Sequence, residues 1–355
     1  MPADPLRHWL LTRALPLWLA HGVDHHAGGF HEHLTPGDYG CSADFRRLRV
    51  LTRQIFVFAR AHRAGMAGAD AAVAMGIDLL TSRAALPEGG FARRLDLAHA
   101  PLDTTRDLYD HAFALLALAN ATAVLPAAPL RGQALALLDH IEAAFPHPAG
   151  GYLESLPPSA PRRQNPHMHL LEALLAAHEA FPDSPFLDRA RALVALFETR
   201  LFDPACGALP EFFDDALTPL PDRASYTVEP GHHYEWAWLL HRAALLTGAP
   251  PHHATPRLLS FATRHGLHQA TGDVIDSVRA DGSGAVRAAR LWPQTERHKA
   301  ARLLGGDPGA LESWLLADGL WVERRDAAGA PIPGPVPASS LYHLTCAILA
   351  DPVRG

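Results

Sequence analysis

Gly150-Gly151-Tyr152-Leu153-Glu154 joins a glycine pair to an aromatic residue, an aliphatic residue and a carboxylate. Glycine pairs punctuate a chain as turns. Related stretches stand at Gly28-Gly29-Phe30-His31-Glu32 and Gly89-Gly90-Phe91-Ala92-Arg93. Weaker copies are Gly207-Ala208-Leu209-Pro210-Glu211, Gly272-Asp273-Val274-Ile275-Asp276 and Gly319-Leu320-Trp321-Val322-Glu323. The interval is about sixty residues, the signature of a repeat architecture. Between copies the pattern is helical, in most cases over a length that holds two helices. Six turns separated by helix pairs predict an all-α fold. The expected form is an (α/α)6 barrel, a toroid of six helical hairpins with short β-hairpin or loop segments at one mouth. Each hairpin of such a ring buries its face against its neighbours, so residues 1–355 are expected to form a single catalytic domain. Function is to be sought where the short loops gather.

The helical reading proceeds from this frame. Leu6 to Trp18 reads as a first amphipathic helix and not as a signal peptide, because Arg7 and Arg13 interrupt its apolar run. Leu48, Leu51, Ile55 and Phe58 recur at helical steps within Phe45 to His62. Further helices are expected over Asp70 to Leu80, Thr105 to Leu118, Leu130 to Phe145, His169 to Phe181 and Phe186 to Leu201. The last are His233 to Leu246, Thr255 to His265, Thr295 to Leu304, Ala310 to Leu316 and Leu341 to Leu349. Asp107 falls in a first turn, where it suits the positive helix end. Asn165-Pro166 and Pro230-Gly231 read as start signals.

Composition narrows the function. The chain has 355 residues, 31 Lys plus Arg against 37 Asp plus Glu, and a net charge of −6. No long basic run exists, so a nucleic-acid partner is not expected. No apolar run reaches membrane-spanning length. Cys41, Cys206 and Cys346 are few and far apart, which fits a reducing cytoplasm and gives no metal spacing. No glycine-rich phosphate loop or Gly-x-Ser-x-Gly elbow is present. Histidine is abundant, with 23 residues.

Several clusters combine histidine, carboxylate and aromatic residues at loop-to-helix junctions. In Gln164-Asn165-Pro166-His167-Met168-His169-Leu170-Leu171-Glu172, His169 and Glu172 share a helix face. The plainer reading makes Asn165 a cap and His169–Glu172 a surface pair. Glu229-Pro230-Gly231-His232-His233-Tyr234-Glu235-Trp236-Ala237-Trp238 repeats the logic with His232 and Glu235. Tryptophan beside such groups suits a sugar, whose apolar face it covers, although one of Trp236 and Trp238 is expected in the core. Leu291-Trp292-Pro293-Gln294-Thr295-Glu296, Thr105 to His111 and Ser339 to Leu344 are individually weaker, and capping or packing explains each alone. His25, His26, His31 and His33 lack acidic partners in a ligand arrangement, so a wet loop is favoured there over a metal site.

Taken in order, these segments resemble the N-acylglucosamine 2-epimerase superfamily, which includes cellobiose 2-epimerases and bacterial mannose isomerases. Arg53-Gln54 looks like its arginine helix, and Asp107 to Phe113 like its tyrosine segment. Asn165-Pro166-His167-Met168-His169-Leu170-Leu171-Glu172-Ala173 resembles its Asn-Pro-x-Met-His-x-x-Glu-Ala block. Pro230-Gly231-His232-His233-Tyr234-Glu235-Trp236 resembles Pro-Gly-His-x-x-Glu-Trp. Trp292-Pro293-Gln294-Thr295-Glu296 matches another block, and Tyr342-His343 looks like the terminal histidine. Arg297-His298 departs from the usual apolar pair.

The resemblance implies proton transfer at C2 of a free monosaccharide without cofactor or metal. It assigns His169, His232 and His343 as catalytic. It implies that Arg53, Tyr109, Asn165, Glu172, Glu235, Trp236, Trp292, Gln294 and Glu296 line the pocket. In this reading His232 and His343 are the acid/base pair and His169 assists ring opening. Glu172 and Glu235 steady their histidines, Arg53 stabilises an enediolate, and Trp236 and Trp292 seat the sugar. The favoured reaction interconverts D-mannose and D-fructose, with 2-epimerisation or sulfoquinovose isomerisation as alternatives. A glycoside hydrolase using Asp107 and Glu235, or a non-catalytic sugar-binding protein, are the rivals from other classes. Few cations are expected at the mouth, which favours a neutral sugar. A cytoplasmic location follows, with a homodimer as one compatible assembly.

Overall fold

The computed structural model describes residues 4–220 and 227–350. Six helices form a closed inner ring: α2 (Leu48–Arg63), α4 (Leu108–Ala121), α6 (Asn165–Ala180), α8 (Pro230–Thr247), α10 (Leu291–Leu304) and α11 (Ala338–Ile348). Each packs on the next, and α11 packs back on α2. Outside them lie α3 (Ala69–Leu79), α5 (Ala127–Ala144), α7 (Phe186–Leu196) and α9 (Thr255–His265). The outer partner of α10 shrinks to a 3-10 turn, Leu311–Trp314. The outer partner of α11 is the N-terminal helix α1 (residues 5–22), which alternates α and π turns. The all-α barrel is thus the observed architecture.

Burial follows from position in the two layers. An inner helix is covered on one side by the outer layer and on the other by the ring, so it is apolar around most of its circumference. In α4 every residue but Tyr109 is buried, and alanines at 112, 114, 117, 119 and 121 allow close neighbours. No helix among the described residues is long and apolar enough to cross a membrane.

The glycine turns end the outer helices and return the chain to the ring. Gly28, Gly89, Gly150, Gly207, Gly272 and Gly319 all have positive φ, a conformation that costs glycine nothing. Each donates its N–H back across the turn, to Asp24, Leu86, His147, Asp203, His268 and Leu316 respectively. The segment after the turn then pairs antiparallel with the strand that leads into the inner helix of the same hairpin. Arg106–Asp107 pairs with Ser155–Leu156, Arg162–Arg163 with Phe212–Phe213, and Ala289–Arg290 with Arg324–Arg325. The ring closes by the same rule, because His33–Leu34 near one chain end pairs with Val336–Pro337 near the other.

Carboxylates of the repeat tie adjacent hairpins together. The Glu154 carbonyl accepts Leu108 N–H of its own hairpin, while its carboxylate accepts the N–H and Nε of Arg163 in the next. Glu32 serves Ala338 and Arg47 in the same two ways, and Glu323 serves Leu291 and Ser340. The copy at residues 89–93 has Arg93 instead, whose charge faces the buried Asp110 of the following hairpin.

A second device uses histidine. In α4, His111 Nδ1–H donates to the Asp107 carbonyl and Nε2 accepts the Phe91 N–H from the glycine turn. His167 does this for Arg163 and Tyr152, and His233 for Glu229 and Leu209. Gln294 substitutes in α10, binding the Arg290 carbonyl and both backbone groups of Val274. Only a neutral ring can donate from one nitrogen and accept at the other. Burial accordingly holds all three histidines near a pKa of about 4.

The inner helices begin earlier than sequence punctuation suggested. Pro166, Pro230 and Pro293 lie within first turns, where a missing N–H costs nothing. Asn165, His232 and Trp292 are therefore helical. Conversely, Phe45–Arg47 and Arg106–Asp107 are strands, with Asp107 capping α4 by accepting from Asp110 N–H. The segment at 310–316 is a single 3-10 turn.

Candidate active site

A common register defines the interior. The turn carbonyls receive the N–H of Leu48, Leu108, Gln164, Leu291 and Ala338. Pro230, which has no N–H, holds the equivalent place on α8. Five residues further on stand Arg53, Phe113, His169, Glu235, Glu296 and His343, all buried. They follow one another around the interior. The Arg53 guanidinium lies 4.2 Å from the Phe113 ring, and Phe113 lies 4.7 Å from His169. His169 Nδ1 is 3.8 Å from Glu235, and ligand atoms of Glu235, Glu296 and His343 lie within 4.8 Å of one another. One turn nearer the mouth are Arg49, Tyr109, Asn165, Trp292 and Ser339, each half-buried. One turn deeper are Glu172, Trp238 and Lys299.

The three expected histidines converge, each with a carboxylate on Nδ1. His169 pairs with Glu172 at 3.2 Å, His232 with Glu211 at 2.9 Å, and His343 with Glu296 at 2.8 Å. This leaves the other ring nitrogen of His169 and His343 for a substrate. Trp292 links two of the pairs, with its ring 4.8 Å from His232 and 5.8 Å from His343. Asn165 stands 3.2 Å from His232 Nε2, and Tyr109 packs edge-on against His169. Asn165 is no helix cap, and the His169–Glu172 pair is no surface pair.

Protonation differs sharply among the pairs. Burial presses His343 well below the usual histidine range, and the nearby Arg53 charge adds to this. Burial also lowers His169, to about 4, despite Glu172. Burial would lower His232 as well, but the Glu211 charge and hydrogen bond, with Glu229 behind them, outweigh it and raise its pKa. Burial alone would raise Glu172, yet His169, Lys299 and Tyr342 bring it to about 2. Glu235 is opposite: burial, then the charges of Glu296 and Glu172, drive its pKa well up. Both Glu235 oxygens lack a protein partner. These surroundings favour the charged form of His232, the neutral forms of His169 and His343, and the protonated form of Glu235.

Several assignments need correction. Glu235 does not hold His232; it sits beside His169. The partner of His232 is Glu211, the carboxylate of the fourth glycine turn, which also accepts from Glu229 N–H and Gln164 Nε2. Trp236 faces outward, stacked 4.4 Å from Phe197 and donating to Gln164 Oε1. It seats no sugar and instead braces the residue that orients Glu211. Gln294 is spent on the Val274 turn. Trp238 is buried too, donating to Glu296 with Lys299 Nζ 3.2 Å from its ring. Asp107 is occupied as a cap, away from the Glu235 layer. Arginines do gather at the mouth, but Arg47, Arg49, Arg163 and Arg290 are each paired with carboxylates.

Two groups in the interior have cation-ligand spacing, His169–Glu172–Glu235 and Glu235–Glu296–His343; a third among the described residues, Glu198–His252–His253, lies outside it. Lys299 and Arg53 already bring positive charge to both. The histidines at 25–33 form no such group among the described residues. His25 meets the Leu19 carbonyl, and His33 meets Ser42.

Residues 28–347 match the family described as N-acylglucosamine 2-epimerase (GlcNAc 2-epimerase). The chain belongs to that family. It is 38% identical to a mannose-6-phosphate isomerase of Rhizobium meliloti (strain 1021), over 98% of this chain and 96% of that protein. It is 29% identical to a D-mannose isomerase of Thermobifida fusca, over 80% and 78% of the two chains. A solved D-mannose isomerase shares the fold with a TM-score of 0.86 at 23% identity, covering 98% of each chain. Membership in the N-acylglucosamine 2-epimerase family makes this an enzyme of the sugar isomerase and epimerase class.

Proposed function

We propose that the protein interconverts D-mannose and D-fructose, with His343 as the base and His232 as the acid. The observation that carries this is the placing of two histidine–carboxylate pairs beside one indole, Trp292, with surroundings that shift the two histidines in opposite directions. The 29% identity to a D-mannose isomerase supports the choice of sugar. Neutral His343 takes the C2 proton of the open-chain aldose. The C–H electrons form the C1–C2 double bond as the carbonyl electrons move to O1, which takes a proton from His232. Arg53, a permanent cation in the same layer, stabilises the developing oxyanion. His343 then returns its proton to C1, and His232 recovers one from O2. Both histidines end as they began, so the cycle balances. Before this, protonated Glu235 and neutral His169, 3.8 Å apart, open the ring by giving a proton to the ring oxygen and taking one from the anomeric hydroxyl. Delivery of the proton to the opposite face of C2 gives the 2-epimer from the same intermediate.

A second reading takes mannose 6-phosphate, favoured by the name of the 38% identical relative. The ion-paired state of the mouth arginines favours the neutral sugar. Proton NMR in heavy water with mannose, mannose 6-phosphate, glucose, N-acetylglucosamine and cellobiose decides between them. Deuterium entering mannose and fructose supports the proposal. Labelling of mannose 6-phosphate alone, or of a glucose-configured sugar alone, rejects it.

A further inference from the structure

Lys299 is the only lysine in the sequence; the rest of its 31 Lys plus Arg are arginine. It stands on α10 one turn deeper than Glu296, and only 5% of it is exposed. Lysine is rarely buried unless other groups offset its charge. The ammonium rests on the face of the Trp238 indole, 3.2 Å from the ring centre. The edge of the same indole donates Nε1–H to Glu296 Oε2 at 3.0 Å, and Glu296 Oε1 holds His343 Nδ1 at 2.8 Å. Cation, ring, carboxylate and histidine are thus linked in series. A cation on the ring face is attracted to it and polarises its N–H, as linked hydrogen bonds polarise one another.

The charge of Lys299 is shared among several helices. Burial raises the pKa of Glu172 on α6, Glu235 on α8 and Glu296 on α10, and the Lys299 field pulls each one down. For Glu296 it is the largest influence opposing burial. On α11, burial and Arg53 of α2 lower the pKa of His343, and Lys299 lowers it further. Burial raises Cys346, also on α11, to about 12, against the pull of Lys299 and of Arg60 on α2. The side-chain type matters here. A guanidinium takes carboxylate oxygens in pairs and would draw them from their histidines, whereas an ammonium acts as a compact point charge.

We propose that Lys299 is a positioning residue of the reaction: seated on Trp238 beneath two histidine–carboxylate pairs, it supplies the fixed positive charge that lets Glu172 and Glu296 hold His169 and His343 by Nδ1. This rests on the roles proposed above for those two histidines. Each then keeps its other nitrogen for the sugar. Lys299 acts from one turn below and through these carboxylates, so it governs turnover and not sugar binding.

A single lysine permits a direct test in the full chain without sugar. Carbon-13 labelling of lysine gives one side-chain NMR signal. It should be shielded by the indole and should pass through an inflection below about pH 8 as its neighbours titrate, where a solvated lysine, titrating near about 10.4, stays flat. Lys299→Met keeps the side-chain length and removes the charge. With mannose, the acid limb of the pH–rate profile should rise by about one pH unit, because loss of a cation strengthens proton binding by every neighbour. The alkaline limb, set by His232 with Glu211 and Glu229, should stay, and kcat at pH 7 should fall about tenfold with KM within about twofold. A flat lysine signal at the solvated position overturns the proposal, also where Lys299→Met does not fold. A lowered melting temperature with an unmoved acid limb makes Lys299 merely structural and overturns it too. A parent that exchanges no deuterium into mannose rejects the proposed function instead, and the lysine signal still decides whether Lys299 is coupled to the pairs.

Discussion

His232 and His343 are the same side chain beside the same indole, yet their surroundings shift their pKa values in opposite directions. The difference lies in what balances burial. Burial would raise Glu211, but the His232 charge and the hydrogen bonds from His232, Gln164 and Glu229 together outweigh it and lower its pKa, so the Glu211–His232 pair favours carboxylate and imidazolium. Glu296 is raised by burial, which makes it a weaker anchor for a positive His343. The proposed mechanism needs His343 neutral and His232 protonated. The acid limb of kcat/KM should therefore lie below the ordinary histidine pKa of 6.5, and the alkaline limb above it. Glu211→Gln removes the charge that raises His232, so its alkaline limb should move to lower pH while the acid limb stays. An unchanged alkaline limb would remove Glu211 from the mechanism. The two tryptophans separate just as clearly. Trp292→Phe should raise KM and lower kcat, because that ring stands beside both histidines. Trp236→Phe should leave KM within about twofold and lower the thermal midpoint, losing a buried hydrogen bond of about 1 kcal/mol. Steady-state kinetics and thermal melts on the same preparations distinguish these outcomes.

At the scale of the element, the inner helix start is a fixed cassette: a strand residue, a clamp three positions past the turn contact, and a cavity residue two further on. His111, His167 and His233 are clamps, while His169 and His343 occupy the cavity position. The clamps carry a pH consequence. Their folded pKa of about 4 lies below an unfolded value near 6.5, so the unfolded chain binds more protons between these limits. The stability they contribute is full above 6.5 and is lost as pH falls toward 4, by up to roughly 3 kcal/mol per clamp. Gln294 makes equivalent bonds without titrating. His167→Gln should therefore keep most stability at pH 7 and flatten the loss between pH 6.5 and 4 in urea titrations. An acid slope equal to that of the parent would refute the clamp. This cassette also explains what could be read in advance. The glycine repeat and the order of motifs were enough for the ring and for the convergence of His169, His232 and His343 on its interior. The pairing of His232 with Glu211 was not legible, because it joins consecutive hairpins across 21 positions, whereas helical spacing pointed to Glu235. Yet Glu211 was already in view as a turn carboxylate, and counting from the turns identifies it. Lys299 and the outward face of Trp236 depend on the packing of neighbouring helices, which periodicity does not reveal.

At the scale of the whole molecule, the ring is completed only where the two ends of the chain meet. The sixth hairpin is built from α11 and α1, the last and first helices. Trp18 of α1 stacks 5.4 Å from Trp321, and Trp9 donates to the Leu316 carbonyl. Glu32 receives Ala338 N–H and holds Arg47 at the entrance of α2. Closure thus positions His343, on α11, against Arg53, on α2, although 290 residues separate them in sequence. In an open stack of hairpins each unit leans on its neighbours, and an end unit can fray alone. In a closed ring every unit has two neighbours, so loss of one seam exposes apolar faces on both sides. The intact chain is therefore expected to unfold in a single calorimetric transition. Trp18→Ala, which empties a fully buried site, should cost about 3–5 kcal/mol and lower the midpoint of that one transition. Removal of residues 1–34 takes away α1 and the strand paired with Val336–Pro337. It should abolish both the cooperative transition and turnover, though every side chain of the proposed mechanism remains in the polypeptide. Two resolved transitions in the intact chain, or a truncated chain that melts cooperatively and turns over sugar, would show that the seam is dispensable and that α11 reaches its place without α1.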